Sequence, residues 1–146
     1  MIGPATSGIW GCGVDLIEIN RIADSMERWG NRFLDRLFSA AEQAYCRTRG
    51  RPAAHFAARF AAKEAVSKAF GTGIGQHLQW LDICVHRGAE DGPPRIQLSD
   101  QAAAWARTMG AGPILISLTH TREYALAQAL ILTGRHPADA SSETSQ

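Results

Sequence analysis

The chain has 146 residues, of which 45% are hydrophobic and 20% charged, and its formal net charge at pH 7 is +1. These values are typical of a soluble protein with one globular domain, and a net charge this close to zero argues against a general nucleic-acid binder. We expect neither a membrane span nor a signal peptide, because no apolar run is long enough and residues 1–8 lack a basic segment followed by an apolar one.

The cysteines give an indication of the compartment. Cys12, Cys46 and Cys84 are widely spaced and odd in number. They match neither a zinc-binding pattern nor a disulfide framework. Since unpaired thiols are usual in reducing compartments, we expect a cytoplasmic protein.

The first predicted element is a buried strand over Ile9–Ile17, where the apolar residues form a continuous run. Two glycines within this run allow another backbone to approach closely. Asp15 interrupts the run near its end. A single aspartate at this place could cap a helix, shape a turn or act as a ligand at the end of the strand.

Three helices are predicted to follow this strand. The first covers Ile19–Trp29, and its apolar side carries Ile22, Met26 and Trp29. A short second helix is predicted over Arg32–Phe38. The residues Ser39-Ala40-Ala41-Glu42 fit a capping box, so a third helix is expected to begin there and to run to about Arg49.

The longest predicted helix covers residues 52–70, is rich in alanine and ends before Gly71. Helical spacing places Glu64, Ser67 and Lys68 on one face, with Gly71 at the end of that face. A glutamate and a lysine four residues apart often form only a solvated ion pair on a helix surface. The same face would suit a ligand site if the aspartate of the first strand lies near it.

The second half of the chain is dominated by strands, which are predicted over Leu78–Arg87, Arg95–Leu98, Ile114–Thr119 and Tyr124–Leu132. Ser99 is expected to cap a helix over Asp100–Met109. His120 lies in the turn between the last two strands, where a histidine is either simply exposed or part of a site. Residues 134–146 lack apolar periodicity and are expected to be disordered.

Arginines are concentrated in the helical first third of the chain, at positions 21, 28, 32, 36, 47, 49 and 51. Arg21 and Arg28 are seven residues apart and therefore share one face of the first predicted helix. Acidic neighbours such as Asp24 and Glu27 are consistent with an ordinary charged surface. The alternative interpretation is a docking patch for an acidic helix of a partner protein.

Three motifs follow one another along the chain: Gly13-Val14-Asp15 with Arg21-Ile22, then Arg59-Phe60-Ala61-Ala62-Lys63-Glu64-Ala65 with Lys68-Ala69-Phe70-Gly71, and finally Ser117-Leu118-Thr119-His120-Thr121. In this order and spacing the sequence resembles the holo-[acyl-carrier-protein] synthases, the small bacterial branch of the 4′-phosphopantetheinyl transferases. The resemblance runs from about Ile9 to about Leu132. It indicates a transferase domain over residues 9–133, an N-terminal extension over residues 1–8 and a tail over residues 134–146.

The resemblance implies an α+β fold, in which a long helix and shorter helices pack on a small antiparallel sheet, and a homotrimer with active sites at the subunit interfaces. It also implies a reaction of fatty acid biosynthesis. The 4′-phosphopantetheine group moves from coenzyme A to a serine of apo acyl-carrier protein, and adenosine 3′,5′-bisphosphate is released. Because the carrier protein is acidic, Arg21 and Arg28 are the expected docking residues, with Arg47–Arg51 as the alternative.

By the same resemblance, Asp15 and Glu64 hold Mg²⁺, and Lys68 contacts the phosphates and stabilises the leaving group. Either Glu64 or a metal-bound water accepts the serine proton, and the sequence leaves both open. Arg59 and His120 are expected at the 3′-phosphate of coenzyme A. Since Arg59 points away from Glu64 on the helix, we expect it to act across a subunit contact. The full set of expected coenzyme A contacts is Ser67, Lys68, Gly71, Arg59, His120 and Thr121.

Two other functions stay open on the sequence alone. A different Mg²⁺-dependent phosphotransferase or hydrolase acting on nucleotides would not need the arginine face. A non-catalytic binder of carrier proteins would not need Asp15, Glu64 and Lys68 together.

Overall fold

The computed structural model describes residues 8–88 and 91–134. The expected extension and tail therefore lie outside the described residues, apart from Gly8 and Gly134. The elements in chain order are β1 (Ile9–Glu18), α1 (Ile19–Trp29), α2 (Asn31–Leu37), α3 (Ala40–Arg47), α4 (Pro52–Ala69), one turn of 3₁₀ helix (Trp80–Asp82), β2 (Ile83–Arg87), β3 (Pro94–Leu98), α5 (Asp100–Thr108), β4 (Ala111–His120) and β5 (Tyr124–Thr133). Within the described ranges, no helix is long and apolar enough to cross a membrane.

The strands form two antiparallel sheets. In the larger sheet, β5 lies between β1 and β4, whereas β2 and β3 form a separate hairpin. The predicted α+β class with an antiparallel sheet is confirmed, although the strands are divided between two sheets. In the larger sheet, Asp15 pairs with Ala127, which in turn pairs with Leu118 of β4. Ala127 is fully buried on the face of the sheet that α4 covers.

Two glycines of β1 let α4 lie unusually close to the larger sheet. A Cβ atom on Gly13 would lie 1.9 Å from the carbonyl oxygen of Ala65, and one on Gly11 would lie 2.1 Å from that of Ala69. No side chain fits at such distances, so both positions require glycine. The predicted close approach of another backbone to this strand is confirmed, and that backbone belongs to the helix carrying Glu64 and Lys68.

The prediction that the first strand is buried is wrong for one of its faces. Along β1 buried and exposed positions alternate, and Val14 and Leu16 are 53% and 59% exposed. Leu115 of β4 is also exposed, at 53%. Side chains alternate between the two faces of a strand, so these residues belong to the face turned away from α4. This surface is called the outer face below.

The strand predicted over Leu78–Arg87 is wrong in its first half, because strand pairing begins only at Ile83. Its place is taken by the 3₁₀ turn Trp80–Asp82. The carboxylate of Asp82 accepts a hydrogen bond from the Gln79 backbone N–H at 2.8 Å and another from the Ser99 hydroxyl at 2.7 Å. An aspartate that bonds to nearby backbone in this way favours a turn over an extended strand. The other predicted helices and strands lie close to the observed ones. His120, which was predicted in the turn, is instead the last residue of β4 and pairs with Ala125 of β5.

A buried ion pair fixes α4 against the shorter helices. The ammonium group of Lys63, which is fully buried, donates to Glu42 Oε1 at 2.8 Å and to the carbonyl oxygens of Leu37 at 2.7 Å and Trp80 at 3.0 Å. Glu42 in turn accepts from the backbone N–H groups of Val85 and of the α3 N-cap residue. The predicted capping box at the start of α3 is confirmed. One ion pair thereby joins α2, α3, α4, the 3₁₀ turn and β2.

We predict that Lys63→Met lowers the free energy of unfolding by about 3–5 kcal/mol, because it leaves the Glu42 carboxylate buried without its counter-charge. Burial already lowers the pKa of Lys63, against the opposing effect of Glu42, so the ammonium depends on this partner to stay charged. Urea unfolding followed by circular dichroism measures the change.

Two further variants control this prediction. Lys63→Met combined with Glu42→Gln should recover part of the lost stability, since no unpaired charge is then buried. Asp91→Asn breaks the exposed pair between Arg49 and Asp91 and should cost less than about 1 kcal/mol. If Lys63→Met and Asp91→Asn lowered the free energy of unfolding equally, the buried pair of Lys63 and Glu42 would not have the stabilising role proposed for it.

Candidate active site

Asp15 and Lys68 meet where β1 crosses the end of α4. The ammonium group of Lys68 donates to Asp15 Oδ1 at 2.9 Å and to the carbonyl oxygen of Val14 at 3.1 Å. The Lys68 side chain is 51% exposed and that of Asp15 is 16% exposed. The pair therefore lies at the surface, where a ligand can reach it.

Glu64 lies beside this pair, one helical turn before Lys68. The pKa of the Glu64 carboxyl is raised above its ordinary value, first by burial and then by the neighbouring Asp15 carboxylate, whereas Lys68 lowers it. Two carboxylates and one ammonium group thus share one site, as the sequence predicted. They come together because Gly11 and Gly13 let the helix lie against the strand.

The donor set of this site fits a hard divalent cation. Two carboxylates supply oxygen ligands, and Mg²⁺ usually takes its remaining ligands from water and substrate phosphates. Burial contributes most to the raised pKa of Glu64, and a cation held by these side chains would relieve the second cause, the repulsion from Asp15. Across residues 8–88 and 91–134, no cluster of three or more His, Cys, Asp and Glu side chains could hold a metal ion by itself. A cation here would therefore take its other ligands from water or from substrate phosphates.

Ser67 and Gly71 occupy different positions around the end of α4. Ser67 is fully buried, and its hydroxyl donates to the carbonyl oxygen of Glu64 at 2.8 Å. Its own carbonyl accepts the N–H groups of Thr72 and Gly73. Gly71 is exposed at the start of the following loop with a φ of 78°, which favours glycine. Ser67 thus shapes the loop that begins beside Lys68.

Apart from the Asp15 site, the chain has a cavity of about 260 Å³, which is called the second cavity below. It is lined by Arg59 and His120 together with His55, Ala58, Arg87, Leu118 and Thr119. Asp15, Glu64 and Lys68 do not line it, so one chain holds two separate clusters. Thr121 does not line this cavity either. Its hydroxyl accepts from the backbone N–H groups of Glu123 and Tyr124 and so shapes the hairpin turn.

Sequence reasoning missed His55 and Arg87 at this second cavity. His55 precedes Arg59 by four residues on α4, which is the spacing of helix neighbours and was an available signal. Arg87 comes from β2, a separate element, and only the fold brings it there.

A third feature is an apolar groove between the first helices and α4. It has a volume of about 490 Å³ and is lined by Trp29, Arg32, Phe33, Arg36, Leu37, Phe60 and Trp80. Trp29 was predicted on the apolar side of α1, but it is 54% exposed at the edge of this groove, with the Arg28 guanidinium 5.2 Å from its ring centroid. Arg21 and Arg28 are both exposed on α1. Sequence reasoning missed the groove because its walls come from four elements.

The comparison with known proteins gives a family match over most of the chain. The profile of the 4′-phosphopantetheinyl transferase superfamily matches residues 11–129. The chain is 49% identical over 119 residues to a holo-[acyl-carrier-protein] synthase of Moorella thermoacetica, covering 82% of this chain and 91% of the relative. It is 44% identical over 122 residues to the corresponding protein of Chlamydia muridarum, covering 84% and 94%.

Solved structures agree with this match. The fold is similar to a holo-[acyl-carrier-protein] synthase from Neisseria meningitidis, with a TM-score of 0.79 and 28% identity over 85% of this chain and 98% of that one. It is also similar to the Helicobacter pylori protein in complex with coenzyme A, with a TM-score of 0.73 and 30% identity over 82% and 98%.

Proposed function

Because this chain belongs to the 4′-phosphopantetheinyl transferase superfamily, we propose that it acts as a holo-[acyl-carrier-protein] synthase. The enzyme transfers the 4′-phosphopantetheine group of coenzyme A to a serine of apo acyl-carrier protein, which serves fatty acid biosynthesis. We assign this activity to a transferase domain of residues 9–133.

The observation that carries the proposal is the meeting of Asp15, Glu64 and Lys68 at one surface site. A diphosphate substrate requires positive charge around its oxygens. Lys68 supplies an ammonium group, and the two carboxylates have the oxygen ligands that Mg²⁺ prefers. Neither a structural ion pair nor a plain binding surface needs all three groups together.

Asp15 and Glu64 would hold Mg²⁺, which when bound neutralises charge on the diphosphate and aligns it for in-line attack. Lys68 contacts the same phosphates and stabilises the leaving adenosine 3′,5′-bisphosphate. Since Lys68 already bonds to Asp15, the Glu64 carboxylate is the side chain of this chain best placed to accept the serine proton. The serine oxygen forms the new bond to the β-phosphorus as the bond to the leaving phosphate breaks.

The second cavity suits the 3′-phosphate of coenzyme A. Arg59, Arg87 and His120 line it, and its ionisable side chains are arginines and histidines. Arg59 is only 2% exposed, so its charge is held in place and poorly screened. Because this cavity and the Glu64 cluster are separate on one chain, we propose that a neighbouring subunit supplies Arg59 and His120 to each active site.

The outer face supports assembly into a homotrimer. Its exposed residues include the apolar side chains of Val14, Leu16 and Leu115, and within the described residues α4 packs on the opposite face of the sheet. Such a patch on a protein of this size usually marks an interface. Joining three outer faces around a threefold axis would bury these side chains.

The carrier protein is proposed to dock on α1 and the apolar groove beside it. Arg21 and Arg28 offer positive charge to the acidic carrier helix, and α1 begins just after the strand that carries Asp15. The groove adds Phe33 and Phe60 between further arginines. A carrier helix on this surface would bring its serine close to the carboxylates.

We also propose that the reaction takes place in the cytoplasm. Cys12, Cys46 and Cys84 are all free thiols in the structure. Free thiols are typical of a reducing compartment.

The function predicts a defined mass change. Apo acyl-carrier protein incubated with coenzyme A, Mg²⁺ and this protein should gain the mass of one phosphopantetheine group. Asp15→Asn and Glu64→Gln should each reduce the rate by at least about a hundredfold, because each removes a charged oxygen ligand. Intact-protein mass spectrometry follows the reaction.

Glu18→Gln, at the exposed end of β1, is the matched control and should keep the wild-type rate. Circular dichroism should show that all three variants are folded. No mass gain with any carrier would leave a carrier-binding protein or another phosphotransferase as the function, and near-normal rates in both variants would refute the carboxylate assignment.

The proposed homotrimer can be tested by its mass in solution. Light scattering of the wild type should give about three times the monomer mass of 15.8 kDa. Leu16→Asp places a charge on the outer face and should yield monomers with little activity, whereas the equally exposed Leu81→Asp on the 3₁₀ turn should stay trimeric. A fully active monomer would exclude shared active sites.

Docking predicts a third result. Arg21→Glu combined with Arg28→Glu should raise the KM for carrier protein about tenfold or more at low salt and leave the KM for coenzyme A nearly unchanged, because rim charges mainly steer encounter. Arg95→Glu combined with Arg107→Glu makes the same change in net charge elsewhere on the surface and should have little effect. If the α1 variant leaves the carrier KM untouched, the docking surface lies elsewhere, with Arg47–Arg51 as the next candidate.

A further inference from the structure

Two histidines line the second cavity, His55 and His120. The proposed reaction gives a role to His120 but none to His55, although the charge of a histidine can change near neutral pH. His55 lies on α4 and shares the cavity wall with Arg59, Arg87 and His120. Its ring centroid is 5.5 Å from that of His120 and 6.0 Å from that of Tyr45, and both contacts are edge to face. The imidazole is therefore held between two rings at the mouth of a cationic cavity.

The groups that face His55 come from five parts of the fold. Tyr45 belongs to α3 and Arg49 to the turn after it, Arg59 to α4, Arg87 to β2 and His120 to β4. The guanidinium groups of Arg49 and Arg59 lie 4.1 Å and 4.2 Å from the Tyr45 ring centroid. Asp91 is paired with Arg49 at 2.8 Å.

The arginines around the cavity have spare hydrogen-bond donors. The Nε groups of Arg49, Arg59 and Arg87 are buried and, among the described residues, have no acceptor. Among the residues that the structure describes, the cavity wall contains no carboxylate. A wall with two arginines and two histidines favours an anion that accepts charge-assisted hydrogen bonds.

In the free protein these surroundings disfavour the charged form of His55. The pKa of its imidazole is lowered first by burial and then by the charges of His120 and the three arginines. An anion in the cavity would oppose these repulsions and favour the charged imidazolium. The neutral imidazole of His55 is thus favoured when the cavity is empty, and the charged imidazolium is favoured when an anion fills it.

We propose that His55 is a specificity-determining residue that takes up a proton when the 3′-phosphate of coenzyme A enters the cavity, so that the site prefers the doubly charged phosphate. The proposal rests on the proposed function, since it takes coenzyme A as the substrate. It adds a pH dependence to coenzyme A binding that Arg59 and Arg87 cannot supply, because guanidinium groups do not titrate near neutral pH.

The sign of that dependence follows from linkage. Binding raises the pKa of His55 above its value in the free protein, so the contribution of His55 is fully present below the free-state pKa. It is lost as the pH rises through the bound-state pKa. Between these two values the Kd for coenzyme A should rise with pH by up to about tenfold per pH unit.

Calorimetric titration of the full chain with coenzyme A at pH 7, in two buffers with different heats of ionisation, counts the protons taken up. The 3′-phosphate is already mostly doubly charged at this pH. The same titration with 3′-dephospho-coenzyme A subtracts any protons exchanged at the diphosphate. The wild type should take up more protons with coenzyme A than with the dephosphorylated ligand.

His55→Phe keeps the aromatic contacts but cannot be protonated, and it should lose most of this excess uptake and weaken coenzyme A binding more at pH 6 than at pH 8. His86→Phe, at an exposed position on β2, is the matched control and should behave as the wild type. Unchanged proton uptake and pH dependence in His55→Phe would overturn the proposal.

A second readout does not depend on a variant. Nuclear magnetic resonance of the His55 ring in the wild type should show its pKa rising when adenosine 3′,5′-bisphosphate is added, and a constant value would overturn the proposal. If coenzyme A and its dephosphorylated form bind with equal affinity, the 3′-phosphate does not occupy the cavity. The proposed roles of His55, Arg59 and His120 at the 3′-phosphate would then all be wrong. The mass-spectrometric test of the transferase activity would be unaffected.

Discussion

The site depends on the backbone contact between α4 and β1. Gly11 and Gly13 have no side chain that could hold the two elements apart, and a Cβ atom at either position would collide with a carbonyl oxygen of α4. This contact brings the end of the helix over the end of the strand, where Lys68 reaches Asp15. Two residues that are 53 positions apart in the chain thereby form one site.

The opposite side of α4 is fixed by a different interaction. Lys63 is fully buried and bonds to Glu42 and two carbonyl oxygens, so the helix can neither rotate nor slide without breaking a buried ion pair. Glu64, the next residue, is partly exposed, and the Asp15 carboxylate raises its pKa after the larger effect of burial. Lys63 therefore holds the helix in position, whereas Glu64 belongs to the candidate site.

Sequence reasoning succeeded where a site depends on spacing within one element. Glu64 and Lys68 could be placed on one helix face, and the glycines of the first strand indicated a close neighbour. It failed where several elements contribute. The neighbours of His55 come from α3, β2 and β4. Asp82 replaces part of an expected strand by a turn, because its carboxylate accepts hydrogen bonds from Gln79 before it and Ser99 after it. The apolar run of β1 was also misleading, because hydrophobicity alone does not say which face another element covers.

The central claim is that the α4–β1 contact forms a two-carboxylate cation site for a diphosphate substrate. A crystal grown with coenzyme A and Mn²⁺, measured near the manganese absorption edge, tests it directly. We expect an anomalous peak at coordination distance from one oxygen of Asp15 and one of Glu64, with diphosphate oxygens bound to the same ion. A peak bound to neither carboxylate, or a diphosphate bound away from Lys68, would contradict it.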